Sequence, residues 1–318
     1  MSWLGDAARY RTFSNQSNSS DEEAVKLKNP NIISMEEDIL YHLALGTKSH
    51  DLKEMFSDVK FVCVGGSPRR MEQFARFIMK ELKYSMPAGQ DLVNIAGATD
   101  RYALYKVGPV LAASHGIGIP SLSIVMHELI KILHYAGAQD VTFVRLGTSG
   151  GIGLEPGTVV VSEGAVDALL RPQLDLPVLG RIISRPAVLD QDLVEEILKA
   201  SHPDDDFKVE KGITMCTLDF YEGQGRLDGA FCDYTEGDKM AFLEEVYEKG
   251  IRNIEMESLC FAAMCHHVNI KGAVVCVTLL DRLKGDQIAT PHSTLKEWDQ
   301  RPAKIVARLI RQRLGLEE

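Results

Sequence analysis

A few arginines set among glycines define the chemistry open to this chain. The run RLGTSGGIG at 145–153 follows an apolar stretch and joins one fixed guanidinium, Arg145, to Thr148, Ser149 and the glycines 147, 150, 151 and 153. Glycine admits positive φ and lets a ligand approach the main chain, so this run is expected to hold an anion, phosphate being the natural guess. A second run, CVGGSPRRM at 63–71, reads as strand end, glycine turn and helix start, with Gly66, Arg69 and Arg70 in place. Amides at such a turn plus a guanidinium make a further oxyanion half-site; the plain alternative is a βα turn with surface arginines. In DFYEGQGRLDG at 219–229, Gln224 and Arg226 stand one glycine apart. On an extended strand they would share a face, where an amide and a guanidinium can read a planar, carbonyl-rich ring stacked on Phe220. A glycine-rich hairpin with exposed polar groups is the bland alternative. NIEMES at 253–258 places Glu255 and Glu257 around Met256 at a strand-to-helix junction. A carboxylate there suits vicinal hydroxyls, with the thioether against a sugar ring, or it merely complements a helix N-terminus.

The glycines also raise a competing class. Gly147, Gly151 and Gly153 match the GxxxGxG spacing of short-chain dehydrogenases, and Tyr102 with Lys106 imitates their Tyr-x-x-x-Lys pair. An NAD(P)-dependent oxidoreductase needs its glycine loop to open a helix facing the pyrophosphate. Here Gly153 runs into LEPG and then TVVVS at 158–162, a turn and a strand, and the Tyr/Lys pair precedes the glycines instead of following them.

With 318 residues, 45% hydrophobic and 25% charged, the chain can bury a sizeable core. Its formal charge of -10 argues against nucleic acid as a partner, because phosphate backbones are held by basic surfaces. An anionic small substrate must therefore meet a local basic pocket. The first residues, MSWLGDAARYRTF, lack the apolar core of a signal peptide, and no later run approaches a membrane span, so a cytoplasmic protein is expected. Six dispersed cysteines in apolar stretches suit reduced core thiols. Cys260, Cys265, His266 and His267 fit no zinc template, and no metal is expected.

These segments need elements to carry them. Residues 1–28 include SNQSNSSDEE and are expected as a mobile polar tail. Strands are predicted at 60–64, 110–114, 141–146, 158–162 and 272–280, and helices at 71–84, 120–136, 193–200, 239–249, 259–267 and 303–314. The basic face of the last helix reads as solvated rather than as a nucleic-acid or membrane element. The order argues for an α/β fold around a parallel or mixed sheet covered on both faces.

Taken together, GGSPRRM, TDRYALYKVGPVL, SHGIGIPSLSI, RLGTSGGIGLEPGTVV, TMCTLDFYEGQGRLDG, RNIEMES and VVCVTLLDR occur in the order found in the eukaryotic-type uridine phosphorylases of the nucleoside phosphorylase-I superfamily, and the chain resembles that family from about Asn29 to Leu316. The resemblance implies one domain over 29–318, an α/β three-layer sandwich with a mixed, partly barrel-like central sheet flanked by helices. It also implies reversible phosphorolysis of uridine to uracil and ribose 1-phosphate, with phosphate as co-substrate and no metal or organic cofactor. By motif match, phosphate falls to Gly66, Arg70, Arg145 and Thr148, with Arg101 from a neighbouring subunit. Uracil falls to Phe220, Gln224, Arg226, Arg282 and the backbone near Ser149 and Gly150. Ribose falls to Thr148, Met256 and Glu257, with His42 of the other subunit of a homodimer. Catalysis rests on Arg145, Gln224, Arg226 and Glu257. Asp281 falls where purine-cleaving relatives keep a base-protonating acid, though an Asp capping the preceding strand is the simpler reading. Relatives preferring deoxyuridine, thymidine or purine nucleosides, a water-using nucleosidase and a catalytically silent nucleoside binder remain as alternatives.

Overall fold

Strands and helices alternate through residues 24–86 and 89–316, which this computed structural model describes. After a 3-10 turn at Pro30–Ser34 come β1 (Ile39–Leu40), β2 (Leu45–Gly46), α1 (Leu52–Phe56), β3 (Phe61–Gly65), α2 (Pro68–Glu81), β4 (Leu104–Val107), β5 (Val110–Ser114), α3 (Gly118–Ala136) and β6 (Thr142–Gly151). The second half holds β7 (Val159–Val166), β8 (Gln173–Val178), β9 (Arg181–Pro186), α4 (Gln191–Lys199), β10 (Val209–Cys216), a 3-10 turn at Glu222–Gln224, α5 (Glu236–Glu248), β11 (Ile251–Glu255), α6 (Ser258–His267), β12 (Lys271–Asp281), α7 (His292–Trp298) and α8 (Arg301–Arg313).

Eight strands form one sheet in the order β11-β10-β7-β12-β6-β3-β5-β4, and β11 also pairs with β6. The first five therefore close into a barrel, and β3, β5 and β4 extend it as an open wing. Parallel pairs (β6 with β3 and β12, β3 with β5) mix with antiparallel ones (β12 with β7, β6 with β11). β3 and β5 are buried at every position, as strands covered on both faces must be. This is the mixed, partly barrel-like α/β architecture expected above. Barrel closure is assisted inside by a polar chain: Ser162 and Thr214 hydroxyls lie 2.6 Å apart, Thr214 donates to Asn253 at 2.7 Å, and Asn253 donates to Ser149 at 3.0 Å.

Local chemistry sets the ends of the elements. α2 begins three residues before the predicted Met71 because Ser67 caps it and Pro68 supplies a preset φ. Gly137, at φ 68°, ends α3 as expected. Sequence periodicity did not reveal β8 and β9, a hairpin turned at Leu179 and Gly180, both with positive φ, because β8 is too mixed in polarity to alternate. α8 docks through its arginines: Arg308 pairs with Asp205, and Arg313 with Glu196 at 2.7 Å. Packing begins before the boundary expected at residue 29. Val25 is buried and its N–H donates to the Ala138 carbonyl at 3.2 Å, while the rest of the tail, 1–23, lies outside the described residues.

Candidate active site

Where β6 leaves the open wing and enters the barrel, it carries Arg145 through Gly151 along the floor of a cleft of about 220 Å³. The strand register sets Arg145 against Val64 of β3 on one side and Val274 of β12 on the other. Gly147, Gly150 and Gly151 are thus strand residues and not a phosphate loop, and of the four glycines only Gly153 has positive φ, at 65°. What they supply is missing bulk. A Cβ on Gly147 would lie 2.9 Å from Cys276 Sγ and against the Arg145 guanidinium, and one on Gly150 would lie 3.0 Å from Arg282 Cγ. The glycines leave room for two arginines to cross the strand.

One end of the cleft collects anion-binding groups. Gly66 closes β3, and Arg70 rises from the first turn of α2, its Nε donating to Ser67 Oγ at 3.3 Å and its Nη1 lying 3.8 Å from Asp299. Arg69 faces solvent. Thr148 stands on β6 at the same end. Arg145, only 2% exposed, sends Nη1 to Cys276 Sγ at 3.0 Å and Nη2 to Glu255 at 2.8 Å and to Glu257. Burial opposes its charge, but the two carboxylates outweigh burial and keep it cationic.

The two glutamates divide the roles that NIEMES left open. Glu255 accepts from the backbone N–H groups of Glu257 and Ser258 and from the Ser258 hydroxyl, the helix-capping reading. Glu257 faces the cleft, bound by Arg145 and the Gly118 N–H. Burial pushes the Glu257 carboxyl up, but Arg145 first and then that N–H hold it below the usual range. Met256 lines the wall beside it.

At the other end Phe220, Gln224, Arg226 and Arg282 meet. Gln224 and Arg226 are not on a strand: Gln224 closes a 3-10 turn and Gly225, at φ 63°, redirects the chain before Arg226. Both are buried and reach the cleft. Arg226 grips Asp228 through Nε at 2.8 Å and Nη2 at 2.6 Å, and its Cζ lies 4.4 Å from the centre of the Phe220 ring. Arg282 donates from Nε to Asp286 at 3.0 Å and from Nη2 to the Gln224 carbonyl at 2.8 Å; its Nη1 is buried without a partner. Burial first, with the neighbouring Arg226 charge adding to it, presses the Arg282 pKa down against the opposing pull of Asp286. Ser149 turns its hydroxyl into the barrel, leaving its backbone with Gly150 to the cleft. Asp281 accepts from the N–H groups of Gly153 and Leu283 at 3.0 and 3.1 Å, the capping reading, and does not line the cleft.

The match with known proteins follows these contours. The model of the phosphorylase superfamily covers residues 60–311. The chain belongs to the phosphorylase superfamily. Within it, the chain is 55% identical to uridine phosphorylase 2 of Homo sapiens over 92% of each chain, and 54% identical to uridine phosphorylase 1 of Mus musculus over 92% of this chain and 93% of the other. The crystal structure of uridine phosphorylase from Schistosoma mansoni in complex with uracil superposes with a TM-score of 0.85 at 42% identity, over 91% of this chain and all of that one. A Schistosoma mansoni relative named inactive uridine phosphorylase B is 41% identical over 91% of this chain. Membership in the superfamily therefore leaves activity to be argued from the site.

Twelve residues expected at this superfamily's site on sequence grounds line the one cleft: Gly66, Arg70, Arg145, Thr148, Ser149, Gly150, Phe220, Gln224, Arg226, Met256, Glu257 and Arg282. Arg101 and His42 do not. His42 Nδ1 is 2.7 Å from Glu128 of α3, Arg101 is exposed, and Thr99 ties the two segments by donating to the His42 carbonyl at 2.8 Å. They share an edge with exposed Ile39 and Tyr41. Among the lining residues that went unassigned, His115 carries a titratable ring. His115, between β5 and α3, is fully buried and neither ring nitrogen has a hydrogen-bond partner; burial first and Arg145 second push its pKa down to about 3, so it stays neutral. Its only sequence signal was its place in SHGIG.

Proposed function

We propose that this chain catalyses the reversible phosphorolysis of uridine, and that the cleft is its active site. The observation that carries the reading is the separation of charge along one 220 Å³ cleft: Arg70 and Arg145 at one end, two arginines and an amide at the other, and between them Glu257, the second lining carboxylate, Glu255, being held by Arg145 and the start of α6. Cleaving a glycosidic bond requires an anionic nucleophile under the anomeric carbon, negative potential near the sugar as it gains positive character, and acceptance of charge on the departing base. Phosphate sits by Gly66, Arg70 and Thr148 and takes over the edge of Arg145 that now holds Glu257. Released from that contact, Glu257 accepts hydrogen bonds from the ribose hydroxyls while Met256 packs on the ring. Gln224, Arg226 and Arg282 hold the uracil carbonyl oxygens, and hydrogen bonds that tighten as charge develops lower the barrier with no obligatory proton donor.

Arg101 and His42 complete the phosphate and ribose sites of a neighbouring subunit, which makes a homodimer the smallest competent unit. Their placement together on an edge with exposed apolar side chains supports this. Phosphate is the co-substrate, and no cofactor enters the scheme. The six cysteines are all unpaired and five are buried, which suits a cytoplasmic protein; among the described residues no helix is long and apolar enough to cross a membrane. Uridine phosphorylase from Schistosoma mansoni has been solved in complex with thymidine and with thymine as well as with uracil, so deoxyuridine and thymidine are the next substrates to assay.

Incubation of the purified protein with uridine, with and without phosphate, tests the reading. Phosphate-dependent release of uracil and ribose 1-phosphate is the expected result. Free ribose would mark a hydrolase, and no uracil in either reaction would mark a catalytically silent protein.

A further inference from the structure

Lys239 is placed against the rules of stability. It is 5% exposed, and it sits in the first turn of α5, where the helix dipole disfavours a cation. Its partner is Asp286, 2.9 Å from Nζ and itself buried. Asp286 is already served without it: Arg282 Nε donates to the same carboxylate at 3.0 Å, and the Leu227 N–H donates to its other oxygen at 3.0 Å. Nor is Asp286 remote from the base-reading end, since its backbone carbonyl also accepts from Arg226 Nη2 at 2.8 Å.

The charges in this cluster do not cancel. Arg226 is matched by Asp228 and Arg282 by Asp286, so Lys239 is a surplus cation. Nearby charges do not neutralise it: Asp281 has its own partner in Lys284 at 3.4 Å, and Asp219 and Glu222 on the same loop are exposed, where water screens them. A buried cluster with one unmatched positive charge, at the end of the cleft that Arg226 and Arg282 line and with Arg282 Nη1 lacking a partner, is complementary to a monoanion.

We propose that Lys239 is a positioning residue that supplies, through Asp286, the positive potential received by the departing uracil anion. This deepens the proposed function and rests on its assignment of the base to this end of the cleft. In the step concerned, the bond from C1′ to N1 of the base breaks and its electron pair leaves with N1, spreading onto the ring carbonyl oxygens. A phosphate oxygen forms the new bond to C1′, and the uracil anion takes a proton from water afterwards. With Lys239 in place, the anion completes the charge balance of the cluster; without it, the cluster is already neutral and gains nothing as the bond breaks.

The test compares uridine with 5-fluorouridine, whose base is intrinsically the better leaving group. Lys239→Met is expected to lower kcat/KM for uridine about tenfold, ~1.4 kcal/mol of barrier, and to lower it less for 5-fluorouridine, with KM for phosphate unchanged. Lys239→Arg keeps the charge and is expected to keep the rate. In the double variant Lys239→Met with Asp286→Asn, the cluster again carries one positive charge, so activity is expected to recover above that of Lys239→Met. Wild-type rates in Lys239→Met, equal losses on both nucleosides, or a double variant worse than the single would each overturn the proposal, the last two by showing a merely structural role. Thermal melts of every variant separate misfolding from these outcomes. Arg226→Ala run alongside separates the two levels of inference: if it is inactive while Lys239→Met is normal, only this proposal fails, and if it is fully active, the base assignment fails with it.

Discussion

Replacing Arg226 with alanine is the sharpest probe of the base-reading end. The guanidinium holds Asp228 through Nε and Nη2, a fork that fixes its plane, and Nη1 takes no part in those bonds. A charge-assisted hydrogen bond to a ring oxygen is worth roughly 1.5 to 3 kcal/mol, and each 1.36 kcal/mol of barrier is a factor of ten. Arg226→Ala should therefore lower kcat/KM for uridine by about 10- to 100-fold or more, the upper end if the contact tightens in the transition state. KM for phosphate should hardly move, because Arg70 and Arg145 occupy the other end. The control is Lys249→Ala, which loses only an exposed pair with Glu245 four residues away, worth ~0.3 to 0.5 kcal/mol. Initial rates at varied uridine and saturating phosphate, on proteins whose melting temperatures have been compared, give the answer. Similar activities for Arg226→Ala and Lys249→Ala would refute the assignment of the base site.

Three further outcomes follow from the geometry. Gly147→Ala should chiefly raise KM for phosphate, because the new methyl meets the Arg145 guanidinium, whereas Gly150→Ala should chiefly raise KM for uridine, because it meets the Arg282 stem; identical kinetic signatures would show that the two glycines do not serve separate ends. Mixing inactive Arg101→Ala and Arg226→Ala proteins under conditions of verified subunit exchange should restore up to about a quarter of wild-type activity, since half of randomly assorted dimers carry one intact site, and no recovery would refute shared sites. His115 binds its proton near pH 6.5 when unfolded but only near pH 3 when folded, so the unfolded state binds more protons in that window and stability falls as pH drops through it. Between pH 7 and 5 the wild type should lose about 2 kcal/mol more than His115→Gln at equal protein concentration, read by urea titration; parallel losses would show that the imidazole is not buried neutral.

The site's residues were more legible than its backbone. RLGTSGGIG pointed to residues that line the cleft but suggested a loop, because a run rich in glycine normally signals positive φ; here β6 continues through it, and the glycines are set by the girth of Arg145, two residues back on the same strand, and of Arg282, just past β12, the second of which no local pattern records. Gln224 and Arg226 were correctly paired for the wrong reason. Alternation on a strand was the expected cause, and a positive-φ turn at Gly225 is what brings both side chains to the cleft. Strands and helices with strong periodicity, such as α3 and β12, lay close to where they were expected, while the β8–β9 hairpin escaped. Lys239 and Asp286 were invisible because their meaning lies in a contact between residues far apart in sequence, and neither belongs to a motif.

An acidic chain that binds anions must prevent its own carboxylates from closing its site, and the arrangement here shows how. Arginine cannot be titrated away in this range, so a carboxylate beside it does not remove its charge but fixes the direction of its donors. Asp228 takes the Nε and Nη2 edge of Arg226, and Asp286 with the Gln224 carbonyl takes the same edge of Arg282, which leaves Nη1 outside those bonds on two side chains that line the cleft. A lysine at either position carries its three donors on one freely rotating nitrogen, so a carboxylate partner would not fix the direction of the donors left for the ligand. Orientation by acidic partners thus accounts for arginine at the base-reading end, and it makes the excess charge of the cluster, not the number of arginines, the quantity that decides how well a departing anion is received.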